Sequence, residues 1–241
     1  MTLDFEELDY QRTPFGDISL RRRAEPRLQG KILYEVKLGE EFLLSSLFTA
    51  AEVALAKLGL DALGGEGRDV VVGGLGLGHT AMAALEHPAL GSLSVVEVMA
   101  PVIDWHRRGL VPLGGALVAD KRCTLVQGDF FALASSPGGF HPGGPARRVD
   151  AVLLDIDHSP RHWLNPGNAA FYSEPGLRGL ADKLLPGGVF GLWSDDAPDA
   201  AFMRLLATAF DAPASHVVAF PNPYTGGESS NTVYLARKRG A

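Results

Sequence analysis

The sequence predicts an α/β fold: a doubly wound, mostly parallel sheet that ends in an antiparallel hairpin, preceded by a small N-terminal β-domain. Three observations predict it. From Arg68 onward, short apolar runs alternate with stretches of helical period, the pattern of parallel strands covered by helices on both faces. The last two strand-like runs follow one another with no helix between them. Residues 1–46 carry strand-like segments separated by turn residues, which places the domain boundaries at 1–46 and 47–241.

"GDISLRRRA", "KILYEVKL" and "EEFLLSS" read as short strands, and a small antiparallel sheet of two hairpins is expected. In "SLFTAAEVALAKLGL" the residues Leu47, Ala51, Ala54, Leu55 and Leu58 share a helical face, and Gly59 suits the helix end. "DVVVGG", "LSVVEV", "CTLVQGD", "VDAVLLDID" and "GVFGLW" are five buried strands. "HTAMAALEH", "APVIDWHRRGL", "EPGLRGLADKLL" and "DAAFMRLLATAF" are helices between or after them. "SHVVAF" and "NTVYLARK" form the closing hairpin. "SSPGGFHPGGPARR" is a Gly/Pro-rich loop, expected to be mobile and without chemistry.

Composition excludes several classes of function. With 46% hydrophobic residues the chain can build a sizeable core. A net charge of −6 argues against nucleic-acid binding, which wants a basic face. The one dense basic run, Arg21-Arg22-Arg23, reads as a solvated strand edge or loop. A single cysteine, Cys123, excludes an internal disulfide and, within one chain, a thiolate zinc cluster; in a strand pattern it reads as structural. "MTLDFEELDY" lacks the apolar segment of a secretory signal, and no uninterrupted apolar run approaches a membrane span. A cytoplasmic protein that does not enter membranes is expected.

The chemistry begins at "VVVGGLGLGHT". Gly74, Gly76 and Gly78 lie at a strand-to-helix turn, where glycine permits a tight bend and close approach of a ligand to the backbone. Glu97 ends the next strand, where a carboxylate can accept hydrogen bonds from ribose hydroxyls. Asp129 ends the third strand in "VQGDFF", placed to accept from an adenine amino group, with Phe130 or Phe131 against the base. Taken alone Asp129 is equally a turn or cap residue. Together the set fits an adenosine laid across the carboxyl ends of the first three strands. NAD would usually want a third glycine where Ala81 stands, though the motif tolerates alanine. The element order, with its closing hairpin, looks instead like the S-adenosylmethionine (SAM) transferase fold.

"VDAVLLDIDHSPRHW" turns from an apolar strand into a run of ionisable groups. Asp155 and Asp157 end the fourth strand, and Asp195 and Asp196 follow the fifth, so four carboxylates are expected to share a crevice and attract a cation. Like charges raise one another's pKa, which suits one of them, Asp155 first, to orient or deprotonate an acceptor amine. An acid before "APDAAF" is equally suited to cap a helix. His158 and His162 stand four apart, but Pro160 between them argues against a helical metal pair, so no metal is expected; either can act as a base on a loop. Trp163, Trp193 and Tyr224 are candidates to cover or contact the acceptor, with plain packing or a turn as the alternative.

Over nearly the whole chain the sequence resembles the spermidine synthase group, the polyamine aminopropyltransferases. "VVVGGLGLG" stands where that family has its glycine-rich loop, "VVEV" its ribose acid and "VQGDFF" its adenine-side acid. "DAVLLDIDHSP" stands at the D-x-x-D-P segment, which holds the family's catalytic aspartate and opens its gatekeeping loop; "AFYSEPGLRGLADKLLPGGVFGLW" and "FPNPYTGGESSNTVYLARK" match the later elements. Two departures matter. The family's glycine loop carries an Asp that holds the amine of decarboxylated SAM, and Gly74-Leu75-Gly76-Leu77-Gly78 has none. The second Asp of D-x-x-D-P falls on His158, with Asp157 one place early. The upstream stretch "EEFLLSSLFTAAEVAL" reads as offering only Glu40 and Glu41 as acids. The resemblance therefore implies a SAM-type transferase, read here as moving a methyl group to a small acceptor, an amine among the candidates. Catalytic roles fall to Asp155, Asp157 and His158, cofactor contacts to the glycines, Glu97, Asp129 and Phe130, and acceptor contacts to His162, Trp163, Trp193, Asp195 and Tyr224. Aminopropyl transfer from decarboxylated SAM and a non-catalytic SAM-binding role are the alternatives. A homodimer is implied by the resemblance.

Overall fold

The computed structural model describes residues 5–141 and 146–240. Four antiparallel strands come first: β1 (Phe5–Thr13), β2 (Gly16–Glu25), β3 (Lys31–Leu38) and β4 (Glu41–Ser45), in that spatial order. Sequence reading missed β1. "FEELDYQRT" buries none of its residues, so the edge strand lacks the apolar alternation that would announce it. Ile18, Leu20 and Val36 fill the inner face of this sheet. β2 is an inner strand, so the expectation of a solvated edge for Arg21–Arg23 fails. Arg21 and Arg23 both donate at 2.8 Å to Glu35 of β3, and Arg22 to Glu6 of β1 at 2.7 Å.

The second sheet has seven strands: β5 (Arg68–Gly73), β6 (Leu90–Glu97), β7 (Cys123–Gln127), β8 (Val149–Leu154), β9 (Leu184–Ser194), β10 (Phe210–Asn222) and β11 (Gly227–Lys238). Their spatial order is β10-β11-β9-β8-β5-β6-β7. The five strands β5 to β9 run parallel, and β11 is antiparallel to both β9 and β10. The chain proceeds outward from β5 to β7, then returns to set β8 on the other side of β5. That reversal opens a crevice at the carboxyl ends of β5 and β8.

Both faces of the sheet are buried, which explains why its central strands read as unbroken apolar runs. Val70, Val72 and Leu153 face the helices α1 (Ala50–Leu63), α2 (His79–Leu85), α3 (Ala100–Arg107) and α4 (Gly114–Ala119), while Val71, Val152 and Leu154 face α5 (Phe130–Ser135), α6 (Glu174–Ala181) and α7 (Ala200–Ala209). The first group also contains Ile18, Leu20 and Val36, so the N-terminal sheet shares this core. Residue 46 lies in the turn between β4 and α1.

Gly59 does not end α1. The helix runs on to Leu63, and Gly64, at φ +63°, follows it. Gly59 lies where α1 crosses β8; a Cβ there would come within 2.6 Å of Leu153 Cδ2. Glycine is thus a packing residue at this position. The Gly/Pro-rich loop is partly anchored, since Phe140 is buried and stacks on Phe130 at 5.1 Å. Its residues 142–145, on which the expected mobility bears, lie outside the described residues. Among the described residues no helix is long and apolar enough to cross a membrane.

Candidate functional site

The glycine turn joins β5 to α2 across the mouth of the crevice. Gly74 has φ +94°, and a Cβ on it would stand 2.1 Å from the Asp155 carbonyl oxygen. Gly78 has φ +92°, and its Cβ would meet Leu117 Cδ1 at 2.6 Å. Only glycine serves at either place. Leu75 and Leu77 turn into the core, at 4% and 3% exposure, so the loop presents backbone rather than side chains.

Glu97 fastens this loop. Its Oε2 accepts from the Leu75 N–H at 3.0 Å and its Oε1 from the Met99 N–H at 2.8 Å. Burial pushes its pKa up, against the pull of these N–H groups. Each oxygen keeps further acceptor capacity. Asp129 is the N-cap of α5: Oδ1 accepts from the Phe131 and Ala132 N–H groups at 2.8 and 3.2 Å. The capping reading therefore holds, and Asp129 is exposed. Phe130 is buried at 2%, packed among Phe131, Phe140 and Phe171, so it is enclosed in the core; Phe131 is the half-buried ring at this edge.

Asp155 leaves β8 beside the glycine turn. Its N–H donates to the Gly73 carbonyl at 2.8 Å, and its Oδ2 accepts from the Thr80 hydroxyl at 2.7 Å. The same hydroxyl reaches the Glu52 carbonyl at 3.3 Å. Burial pushes the Asp155 carboxyl up to about 6. Glu52, in the first turn of α1, is pushed up to about 9 by burial and then by the Asp155 charge. Its Oε2 is closed off from solvent and accepts no hydrogen bond. Sequence reading overlooked Glu52, although it lies in the stretch scanned for acids; its apolar surroundings in "TAAEVAL" were the available signal.

The expected four-carboxylate crevice does not form. Asp157 turns into the following loop and accepts from the Leu164 N–H, the Asn168 amide and the Tyr172 hydroxyl at 2.8, 2.9 and 2.9 Å. It is 1% exposed, saturated with donors, and holds segment 157–172 in shape. Asp195 accepts from the Asn231 amide at 2.7 Å, and Asp196 lies 3.1 Å from His162 Nδ1. The acid that caps α7 is Asp199. His158 Nε2 sits 2.8 Å from Glu41 Oε1 of β4, so the two histidines are directed to different elements. Trp163 is 38% exposed, donates to the Pro160 carbonyl and stacks on Tyr172 at 6.3 Å. Trp193 is half-buried against the core on α1's side of the sheet. Tyr224 is committed elsewhere: its hydroxyl donates to Glu25 at 2.8 Å and accepts from Arg23 at 3.1 Å, tying the terminal hairpin to the N-terminal sheet.

No family model matches the chain. Over 120 residues, half of this chain, it is 30% identical to putrescine N-methyltransferase 2 of Nicotiana attenuata and to putrescine N-methyltransferase 3 of Nicotiana tabacum. It spans 29% and 28% of those two proteins, less than a third of either. Spermidine synthase from Thermotoga maritima superposes on 96% of this chain, over 72% of its own, with a TM-score of 0.71 at 17% identity. The chain has the spermidine-synthase fold. A spermidine synthase in complex with the transition-state analogue AdoDATO matches with a TM-score of 0.70 at 16% identity, covering 96% of this chain and 72% of that one. Within the spermidine-synthase fold this chain brings Gly74, Gly78, Glu97 and Asp155 to one crevice, backed by Thr80 and Glu52. It keeps His158, His162 and Trp163 on the adjoining loop, and takes Phe130 and Tyr224 away from the crevice.

Proposed function

We propose that the chain transfers a methyl group from intact SAM to a small amine, with a diamine as the first acceptor to test. The observation that carries this reading is the glycine loop, whose leucines are buried and which presents no carboxylate. Decarboxylated SAM ends in an ammonium that wants acids around it. Intact SAM adds a carboxylate that such acids would repel. The names of the putrescine N-methyltransferases that match half of the chain support the same choice.

The described residues fit such a donor. The remaining lone pairs of Glu97 suit ribose hydroxyls, Asp129 Oδ2 suits an adenine amino group, and Phe131 suits the base. Bound SAM would supply a methyl group carried on a sulfonium. An acceptor amine must lose its proton to expose a lone pair, and Asp155, raised to about 6, is suited to orient it and take that proton near neutral pH. His158 and His162 are further bases on the neighbouring loop, and Trp163, Trp193 and Asp195 would border the acceptor. Asp157 serves by holding the loop. The proposal includes a cytoplasmic homodimer, on composition and resemblance.

Competition binding tests the donor. Intact SAM should bind at least about tenfold better than its decarboxylated form, a difference of about 1.4 kcal/mol. A clear preference for the decarboxylated form would turn the reading to aminopropyl transfer.

A further inference from the structure

Glu52 is the residue in the crevice that nothing yet described uses. It sits in the first turn of α1, and α1 packs on α2, β8, β9, β10 and β11. The ionisable groups these elements bring toward it can be named. Asp155 ends β8 and is the one charge that presses on Glu52. His79 of α2 has its pKa lowered by burial and by His106. Farther along α1, Asp61 lies 3.0 Å from His87, and Arg237 of β11 donates to the Ala62 carbonyl. Glu41 of β4 is held by His158. No cation among the described residues offsets Glu52 or Asp155. The Thr80 hydroxyl donates to Asp155, so that carboxylate is satisfied on one oxygen, while Glu52 Oε2 is enclosed and accepts nothing.

We propose that Glu52 and Asp155 together bind a primary ammonium group of a ligand, and that the ammonium displaces the proton carried by the enclosed Glu52 carboxyl. An enclosed carboxyl oxygen without a donor is costly unless it is protonated or meets one. An ammonium brings three donors and a compact charge, enough to reach both carboxyls at once. A metal would ask for more ligands, and among the described residues no third His, Cys, Asp or Glu joins the pair. The proposal deepens the amine-transfer reading and rests on it for its choice of ligands. The ammonium has two possible sources, the amino-acid end of the donor or the acceptor.

Calorimetry in two buffers of different ionisation enthalpy counts the displaced proton. The probes are S-adenosylhomocysteine, which carries an ammonium, methylthioadenosine, which does not, and putrescine added to the methylthioadenosine complex. Near pH ~7.5, wild-type protein should release roughly one proton with an ammonium-bearing probe and none with methylthioadenosine alone. Release with S-adenosylhomocysteine assigns the site to the donor; release with putrescine assigns it to the acceptor. Glu52→Gln should abolish the release and weaken that probe about tenfold, while methylthioadenosine affinity stays within about twofold and serves as the folding control. The proposal is overturned if neither probe releases a proton from the wild-type protein, a result that needs no variant, or if Glu52→Gln releases as much as wild type. Absence of methyl transfer with proton release intact would instead fault the reaction and spare the site.

Discussion

Glu97 has two tasks within one side chain, and its removal should separate them. Its carboxylate fixes the glycine loop through Leu75 and the turn after β6 through Met99, and its outer lone pairs suit a ribose. Glu97→Ala should weaken S-adenosylhomocysteine by about 1–3 kcal/mol, read by calorimetry, through lost charge-assisted bonds and a loosened loop. Unchanged affinity in a folded variant would take Glu97 out of the site. Glu52 makes a prediction about stability. Its carboxyl moves from an ordinary 4.5 to about 9 on folding. Between those values the folded protein binds a proton that the unfolded chain does not, so stability contributed there falls as pH rises. Glu52→Gln should therefore raise Tm at about pH 9 by roughly 2–6 °C, with little gain near pH ~4.5. Equal shifts at both pH values would contradict the assigned burial. At this scale the sequence showed Asp155, because it ends an apolar strand. It hid Glu52, because a helix gives no hint of which neighbour its first turn will meet. Phe130 was misplaced for a related reason: two successive phenylalanines after a strand look alike until the α5 cap decides which one turns inward.

The strands of the second sheet were legible because both of its faces are buried, and so were its longer helices, whereas the six-residue α4 and α5 are too short to show a helical period and were missed. β1 was missed as well, since an edge strand of charged residues carries no period. The loop after β8 was recognised as unusual from its prolines and ionisable groups, but the part played by Asp157 depends on residues 7, 11 and 15 positions later. Those three bonds make it a clasp. Asp157→Ala should leave Leu164, Asn168 and Tyr172 without their acceptor and open segment 157–172. Limited proteolysis should then cut that segment several-fold faster than in wild type, and nucleoside with acceptor should slow cutting in the wild-type protein. Equal cleavage of the variant and wild type would show that the clasp does not govern the loop.

Across the whole molecule, the two sheets are joined by polar contacts as well as by core. Trp105 of α3 donates to Asp9 of β1 at 2.6 Å, and Tyr224 joins the β10–β11 turn to Glu25 and Arg23 of β2. Arg27 lies over the Tyr224 ring at 5.7 Å, and Phe48 meets its edge at 6.2 Å. The order of elements revealed this architecture, whereas the link between chain ends 199 residues apart had no trace in the sequence. Tyr224→Phe should lower stability by about 1 kcal/mol, measured by denaturant unfolding, and leave acceptor KM unchanged; a raised KM without lost stability would return Tyr224 to the acceptor site.

The reaction is defined by which group leaves the sulfonium. Incubating the protein with putrescine and either SAM or decarboxylated SAM, followed by mass spectrometry, reads that directly. The predicted result is N-methylputrescine and S-adenosylhomocysteine from intact SAM. Spermidine and methylthioadenosine from the decarboxylated form, with no methylated product from the other, would contradict it.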